Sequence, residues 1–112
     1  TEFGQVAARK QWLAGQTRIT GVLTLDNGAV KVIQEGGKSL LAVGVRAVEG
    51  NFRRGEIVRC INPEGVEIAR GLINYSADES RIIMGKPSSK IKPLLGYIDD
   101  EELIHRDNLI LV

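Results

Sequence analysis

Residues 56 to 73 carry the clearest hairpin signal in the chain and constrain its fold more than any other segment. Two apolar runs, EIVRCI (56–61) and VEIARGLI (66–73), flank Asn62-Pro63-Glu64-Gly65. Proline suits the second position of a tight turn, and glycine suits a position with positive φ. This pattern predicts an antiparallel pair of strands and excludes an all-helical bundle.

A strand followed by a short helix is predicted upstream of the hairpin. Residues 19–25 (ITGVLTL) are β-branched and partly alternating, and Asp26 is placed to cap the helix that follows. Gly36-Gly37 suits a left-handed stop at the end of this helix. The next segment, residues 39–48, is mostly apolar, and Gly44 within it predicts a bend or a close approach of two backbones.

Two short helices and a last strand are predicted after the hairpin. Ser76-Ala77-Asp78-Glu79 fits a capping box, and Gly85 ends that helix. Ser88 or Ser89 is expected to cap another helix, over residues 91–95, and the apolar residues 109–112 form the final strand. Together the segments predict a mixed α/β fold, mainly β, with a curled sheet of five to six short strands and two or three short helices.

Composition restricts the classes of function. The 112 residues are enough for one domain, and 15 basic against 14 acidic side chains give a net charge of +1, too small to predict nucleic-acid binding. The charge is uneven, because residues 1–97 hold 14 basic and 9 acidic side chains and residues 98–112 hold 1 and 5. The acidic run 99–102 is typical of a solvated loop. Five aromatic residues are poor material for a base-stacking platform.

The single Cys60 and the lack of a signal peptide or a spanning apolar stretch predict a soluble, cytoplasmic protein with no membrane partner. Cys60 sits among aliphatic residues of a predicted strand, which is typical of a buried, inert thiol.

No catalytic, cofactor or metal site is predicted in this chain. Gly37-Lys38-Ser39 resembles the end of a phosphate-binding loop, but Val32 stands where the first glycine belongs, and a helix stop explains the glycine better. His105 is the only histidine and is expected to have a structural or interface role. Glu64 and Glu67 flank the hairpin turn and are expected to be solvated.

Two interpretations of the basic side chains stay open. Lys38 and five arginines are spread over the glycine-containing segment and the hairpin, and they could converge to bind phosphate once the sheet curls. The alternative, which we favour, is an ordinary surface on which they pair with nearby acids such as Glu49 and Glu56. The arginines are Arg46, Arg53, Arg54, Arg59 and Arg70.

Residues 1–18 differ in character from the rest. Residues 7–13 (AARKQWL) are predicted to be helical, and residues 14–17 break the pattern. We interpret residues 1–18 as a linker or leader. Trp12 either packs on the domain or contacts a segment outside it.

Several motifs carry a resemblance to known proteins. The motifs LDNGAV (25–30), GKSLL (37–41), GV (44–45), GNF (50–52) and RGE (54–56) together resemble a PUA domain, an RNA-associated module. The motifs IARGLINYS (68–76), LGY (95–97) and HRDNL (105–109) resemble the C-terminal region of bacterial glutamate 5-kinases, and RKQWL (9–13) resembles the stretch between their two domains. One departure is Ala42, where related sequences often carry proline.

The resemblance implies a PUA-like pseudobarrel over residues 19–112, with a core module at 19–77 and family-specific helices and a closing strand at 78–112. Residues 1–18 then represent the end of a kinase domain that is absent here. That domain would hold ATP and magnesium and phosphorylate the side chain of glutamate, in the first step of proline synthesis. The chain itself is expected to be non-catalytic, to contact the kinase domain in cis through Trp12, and to belong to a homo-oligomeric parent.

The resemblance also implies an alternative role in binding structured RNA. In RNA-binding relatives the first helix, the glycine-containing segment and the closing strand form the binding face. The corresponding positions are Lys31, Lys38, Gly44, Arg46 and Arg106.

Overall fold

A computed structural model describes residues 2–15 and 18–112, without the side chains of residues 2, 3 and 9. The helices are α1 (Glu2–Gly15), α2 (Asn27–Gly36), α3 (Ala77–Ile83) and α4 (Ile91–Leu95), and the strands are β1 (Gly21–Leu25), β2 (Val45–Gly50), β3 (Ile57–Ile61), β4 (Glu67–Leu72) and β5 (Leu109–Leu111). The mixed α/β prediction is confirmed, with α1 added to the three short helices of residues 19–112. The predicted break at residues 14–17 is wrong for Ala14 and Gly15, which belong to α1, and residues 16 and 17 lie outside the described residues.

The five strands form one sheet in the order β2-β1-β3-β4-β5. The predicted hairpin is β3 and β4, and β1 pairs antiparallel with β2 but parallel with β3. A parallel neighbour requires a crossover, which α2 and β2 supply between β1 and β3. β5 closes the other side by pairing antiparallel with β4.

Aliphatic side chains fill one core beneath the sheet. Leu23 and Cys60 are partners across β1 and β3, and Cys60 and Ala69 are partners across β3 and β4; all three are fully buried. Ile33 brings α2 into the same core, and Ile83 does so for α3. Leu13 of α1 is also fully buried but lies outside this cluster, where α1 packs against β4, β5 and a 3-10 turn at Arg106–Asn108.

The helix ends mostly follow the sequence signals. The Asp26 carboxylate accepts a hydrogen bond from Ala29 N, and Gly37 ends α2 in the left-handed region at φ 58°. Ser76 and Glu79 form the predicted capping box. These side-chain bonds satisfy N–H groups that the first turn of a helix leaves open.

The prediction that Ser88 or Ser89 caps α4 is wrong. These serines begin a 3-10 turn, Ser88–Lys90, and Lys90 precedes α4 without a side-chain cap. The Ser88 hydroxyl instead donates to the carbonyl of Glu101 at 3.2 Å. The serine therefore ties the start of α4 to the acidic segment.

Two glycines allow close approaches between elements. A Cβ on Gly44 would lie 2.5 Å from the Cβ of Ala29, so the predicted close approach is confirmed and α2 packs directly on this segment. A Cβ on Gly71 would lie 2.6 Å from the carbonyl oxygen of Asn108 and 2.7 Å from Cγ2 of Ile104. Gly71 thus sets how closely the chain before β5 approaches β4.

The acidic segment is held by a buried tyrosine rather than being only solvated. The Tyr75 hydroxyl donates to the carbonyl of Asp100 at 2.5 Å and accepts from the backbone N–H groups of Asp99 and Asp100 at 3.1 and 2.9 Å. Arg54 adds an ion pair to Asp99 at 2.6 Å. We call residues 96–102 with the Tyr75 hydroxyl the tyrosine clasp.

A second tyrosine binds a carboxylate at the surface. The Tyr97 hydroxyl donates to Glu79, and this hydrogen bond raises the pKa of Tyr97 to about 12. Partial burial acts to raise the pKa of Glu79, but the hydrogen bonds from Tyr97 and Ser76 outweigh it and lower that pKa. The pair is therefore strongest when Glu79 is ionised and Tyr97 is neutral.

Tyr97→Phe is expected to lower stability most near neutral pH. The stability linked to Glu79 is present above its ordinary pKa of 4.5 and is lost as pH falls, whereas that linked to Tyr97 is present below 10.0 and is lost as pH rises toward about 12. Urea titrations of both proteins from acidic to alkaline pH should show a difference in midpoint that shrinks at both ends. A pH-independent difference would contradict this assignment.

None of the helices in the described part of the chain has the length and apolar character needed to cross a membrane.

Candidate nucleic-acid interface

The five residues expected at an RNA-binding face lie in five different segments. Lys31 is exposed on α2, and Lys38 is exposed just after it. Gly44 ends the 3-10 turn Ala42–Gly44, Arg46 is exposed on β2, and Arg106 begins the 3-10 turn before β5.

Two of the five line a common groove with a third cation that the sequence analysis did not select. We call it the edge groove, since it lies along edge strand β5 between α1 and the end of α2. Its volume is about 340 Å³. The lining residues are Lys10, Ile33, Gln34, Gly37, Lys38, Arg106, Leu109, Ile110 and Leu111.

Backbone pairing brings Arg106 next to Lys38. Leu40 and Ile104 form an isolated antiparallel bridge, and Leu40 N donates to the carbonyl of Ile104 at 2.9 Å. Arg106 N then donates to the Ser39 hydroxyl at 2.7 Å. The left-handed Gly37 turns the chain out of α2 into this pairing, so the positions of Lys38 and Arg106 follow from the fold.

The edge groove is cationic. Lys10, Lys38 and Arg106 line it, and no acidic side chain lines it among the residues that the structure describes. Aliphatic side chains, including Ile33 and Leu109, form its floor. Such a surface is suited to an anion that also has an apolar part.

Most hairpin arginines do not contribute to this groove. Arg59 and Arg70 are partners across β3 and β4, and both lie within 3.3 Å of the Glu67 carboxylate. Arg54 pairs with Asp99 instead. The favoured interpretation, a surface of local ion pairs, is thus confirmed for these three arginines, although Asp99 and Glu67 are the partners and not Glu49 or Glu56.

The expectation that Glu67 is only solvated is wrong. Its side chain is 19% exposed and accepts from both Nε and Nη2 of Arg70, at 3.0 and 3.1 Å. A β-bulge at Cys60/Ile61 places Glu67 opposite Ile61, beside the two arginines. Glu64, in the turn, is exposed as expected.

Lys31, Gly44 and Arg46 lie outside the edge groove. Gly44 lines a second groove of about 340 Å³, the apolar groove, between α2 and residues 39–44. Its exposed side chains are aliphatic, with Val32 48%, Leu41 41% and Val43 48% exposed. Gly44 also packs against Ala29 of α2, and the assignment of Lys31, Gly44 and Arg46 to an RNA-binding face stays a prediction, as it does for Lys38 and Arg106.

The sequence analysis missed Lys10. Residues 7–13 were predicted to be helical, but a helix that is only weakly amphipathic does not reveal which face meets the domain. Burial of Leu13 fixes that face, and Lys10, one turn earlier on the same side, then reaches the edge groove. Trp12 is 51% exposed beside Arg18 and Glu56, so its expected contact with another domain stays a prediction.

His105 and Cys60 have structural roles. His105 Nδ1 accepts from Asp107 N at 3.1 Å and thereby caps the turn that carries Arg106. Complete burial raises the pKa of the Cys60 thiol to about 12, with a further contribution from Glu67. The thiol is therefore neutral at physiological pH, as expected of an inert core cysteine.

Comparison with protein families decides what kind of domain this is. Residues 21–95 match the PUA domain family. The chain belongs to this family. The match covers β1 through α4, so Lys10 of α1 and the β5 side of the edge groove lie outside the matched residues.

Curated relatives of this PUA domain are longer proteins. The chain is 61% identical over 111 residues to the glutamate 5-kinase of Stutzerimonas stutzeri, and 63% identical over 112 residues to that of Saccharophagus degradans. These matches cover 99% and 100% of the chain but 30% of each relative. The matched part is the C-terminal region of these proteins.

Solved structures support the fold. A PUA domain from Aeropyrum pernix aligns with a TM-score of 0.55 at 20% identity, over 77% of the chain and 41% of that protein. A chain of the archaeal box H/ACA sRNP Nop10-Cbf5 complex aligns with a TM-score of 0.53 at 14% identity, over 83% of this chain and 23% of that one. At these identities the likeness concerns the fold alone.

Proposed function

We propose that this PUA domain is the non-catalytic C-terminal module of a glutamate 5-kinase and that it regulates or assembles the enzyme by docking on the kinase domain. The supporting observation is identity of about 60% over nearly the whole chain, to a part that makes up only 30% of each relative. In this proposal the kinase domain holds ATP and magnesium and phosphorylates glutamate. The proposal includes a homo-oligomeric, cytoplasmic parent.

Helix α1 supports a docking role. Leu13 anchors the helix to the sheet, whereas the neighbouring Trp12 keeps about half of its surface exposed. A half-exposed tryptophan is the kind of side chain that often dominates the binding energy of protein interfaces. Its cleft also contains Arg18, Thr20 and Glu56, which offer polar partners at the rim of a contact.

The test removes the region that matches residues 19–112 from the full-length enzyme. Glutamate-dependent ATP turnover should stay within about threefold of the intact enzyme, less than about 0.7 kcal/mol in activation free energy, while inhibition by proline or the oligomeric state changes. Complete loss of turnover in a folded truncation would count against the proposal.

A point substitution in the full-length enzyme gives a finer test. Trp12→Ala should reproduce the change in regulation or assembly because it removes an anchor of the contact. Val66→Ala is the control, since Val66 is 58% exposed in the turn of the β3–β4 hairpin, at the opposite end from Ile57, which lines the Trp12 cleft. Equal behaviour of the two variants would argue against docking through α1.

RNA binding is a second candidate function, favoured by the convergence of Lys10, Lys38 and Arg106 in one groove. A structured RNA should then bind at low salt, with an affinity that falls steeply as salt rises. Lys38→Gln and Arg106→Gln should each reduce the slope of log affinity against log salt by about 1, whereas Lys92→Gln on α4 should not. No binding at about 50 µM protein, within the non-specific range, would exclude this function.

A further inference from the structure

Strand β5 leaves one side open within the described part of the chain. It is the last strand of the sheet, and its only strand partner there is β4. Open strand edges carry backbone donors and acceptors that can pair with another chain. The donors and acceptors that β5 presents to another chain are those of its backbone groups that face away from β4.

The register identifies these groups. Val112 N donates to the carbonyl of Ile68 at 2.9 Å, which marks residues 112 and 68 as a hydrogen-bonded pair. Hydrogen-bonded and non-hydrogen-bonded pairs alternate in an antiparallel ladder, so Ile110 and Arg70 are the next hydrogen-bonded pair. The backbone groups of Leu109 and Leu111 therefore point away from β4.

These groups face the edge groove, which β5 lines. Leu109 N donates to the carbonyl of Arg106 within the 3-10 turn. The N–H and carbonyl of Leu111 and the carbonyl of Leu109 have no backbone partner among the described residues. The groove thus combines a short open strand edge, aliphatic walls and a cationic rim.

We propose that the edge groove binds an extended protein segment with acidic side chains, which adds to β5 as a further antiparallel or parallel strand. Strand addition gives affinity through main-chain hydrogen bonds and specificity through alternate side chains. Acidic side chains of the segment would meet Lys10, Lys38 and Arg106, and apolar side chains would pack toward Ile33 and Leu111. The inference concerns binding by this chain itself and does not depend on the reaction of a parent enzyme.

A peptide explains the groove better than a phosphate backbone does. The cations alone would suit either ligand, but the outward N–H and carbonyl groups of Leu111 complement another peptide backbone in both directions. The aliphatic floor also suits side chains of alternating character, whereas phosphate groups gain nothing from it. RNA is therefore the alternative outcome of the test.

The probe is a capped peptide of about seven residues with alternating glutamate and valine, titrated into the 112-residue chain at low salt. We expect a dissociation constant of about 100 µM or tighter, within the range of modest peptide interactions. The Leu111 amide should show one of the largest NMR shifts. No saturable binding at about 1 mM peptide would overturn the proposal.

Variants separate charge from backbone pairing. Lys38→Glu and Arg106→Glu should each weaken binding about tenfold, and Lys92→Glu on exposed α4 is the control. Leu111→Pro removes the outward N–H without touching the bonds to β4 and should weaken binding by a similar factor, whereas Leu111→Ala, which keeps the N–H, should bind within about threefold of wild type.

Two further peptides, one N-methylated on its odd-numbered amides and one on its even-numbered amides, test the same hydrogen bonds on the wild-type chain, so the test does not depend on the folding of Leu111→Pro. One of the two should bind with an affinity at least about tenfold lower than that of the unmethylated peptide, because only alternate amides of an added strand face β5. Equal affinity of both methylated peptides would overturn strand addition. Binding of a structured RNA hairpin without any binding of the peptide would assign the groove to RNA instead.

Discussion

Gly71→Ala is expected to destabilise the protein by about 3 kcal/mol, at the upper end of the cost of overpacking a core. The added Cβ would lie 2.6 Å from the carbonyl oxygen of Asn108 and 2.7 Å from Ile104 Cγ2. The first of these contacts is with backbone, which cannot rotate away. Relief requires residues 104–109 to move off β4, and this movement would also displace the β5 edge from the groove.

The midpoint of urea unfolding measures the effect, and the amide resonances of β5 should shift far more than those of β1. Gly28→Ala is the matched control, because a Cβ there meets only Asp26 Oδ1 at an ordinary 3.4 Å. Within a helix this change should be neutral or stabilise by up to about 1 kcal/mol. A Gly71→Ala variant as stable as wild type would show that β5 does not approach β4 as closely as described.

Tyr75→Phe is expected to cost about 2–4 kcal/mol because it opens the tyrosine clasp. The hydroxyl satisfies two N–H groups and one carbonyl of residues 99 and 100, and the tyrosine itself is fully buried. Without the oxygen these groups need new partners, so residues 96–102 must rearrange toward water. Hydrogen exchange of the Asp99 and Asp100 amides should accelerate more than the loss of global stability accounts for.

Tyr97→Phe is the control for this change, since it removes a hydroxyl from a neighbouring ring 6.4 Å away. Tyr97 is 44% exposed and its hydroxyl bonds a surface carboxylate, so the loss should stay below about 1 kcal/mol. Equal losses of unfolding free energy for the two variants would mean that the Tyr75 hydroxyl does not hold residues 99 and 100 in place.

Local signals in the sequence predicted much of the fold. The Asn62 to Gly65 turn, the Asp26 cap and the capping box at Ser76 each depend on residues within a few positions of one another, so their geometry is readable from the sequence. Gly44 was also informative, because a glycine in an apolar segment leaves few interpretations besides a bend or a close contact. The predicted cap at Ser88 or Ser89 was wrong, because the Ser88 hydroxyl donates to the distant carbonyl of Glu101 instead.

The edge groove could not be predicted in the same way. Lys10, Lys38 and Arg106 are far apart in sequence, and only the packing of Leu13 and the bridge between Leu40 and Ile104 bring them together. The Tyr75 hydroxyl bonds the backbone of Asp100, which is 25 residues away, and a backbone partner cannot be recognised from the residue type. Long-range pairing of this kind depends on the closed sheet and has no local signature.

The pairing of β5 with β4 also decides where a working fragment of this protein can be cut. A fragment cut to residues 21–95, the span of the family match, would lack β5 and would leave the six-residue strand β4 with an unpaired edge. An unpaired strand edge of this kind can pair with the same edge of another copy, which favours aggregation. A fragment expressed for biophysical work should therefore extend through β5.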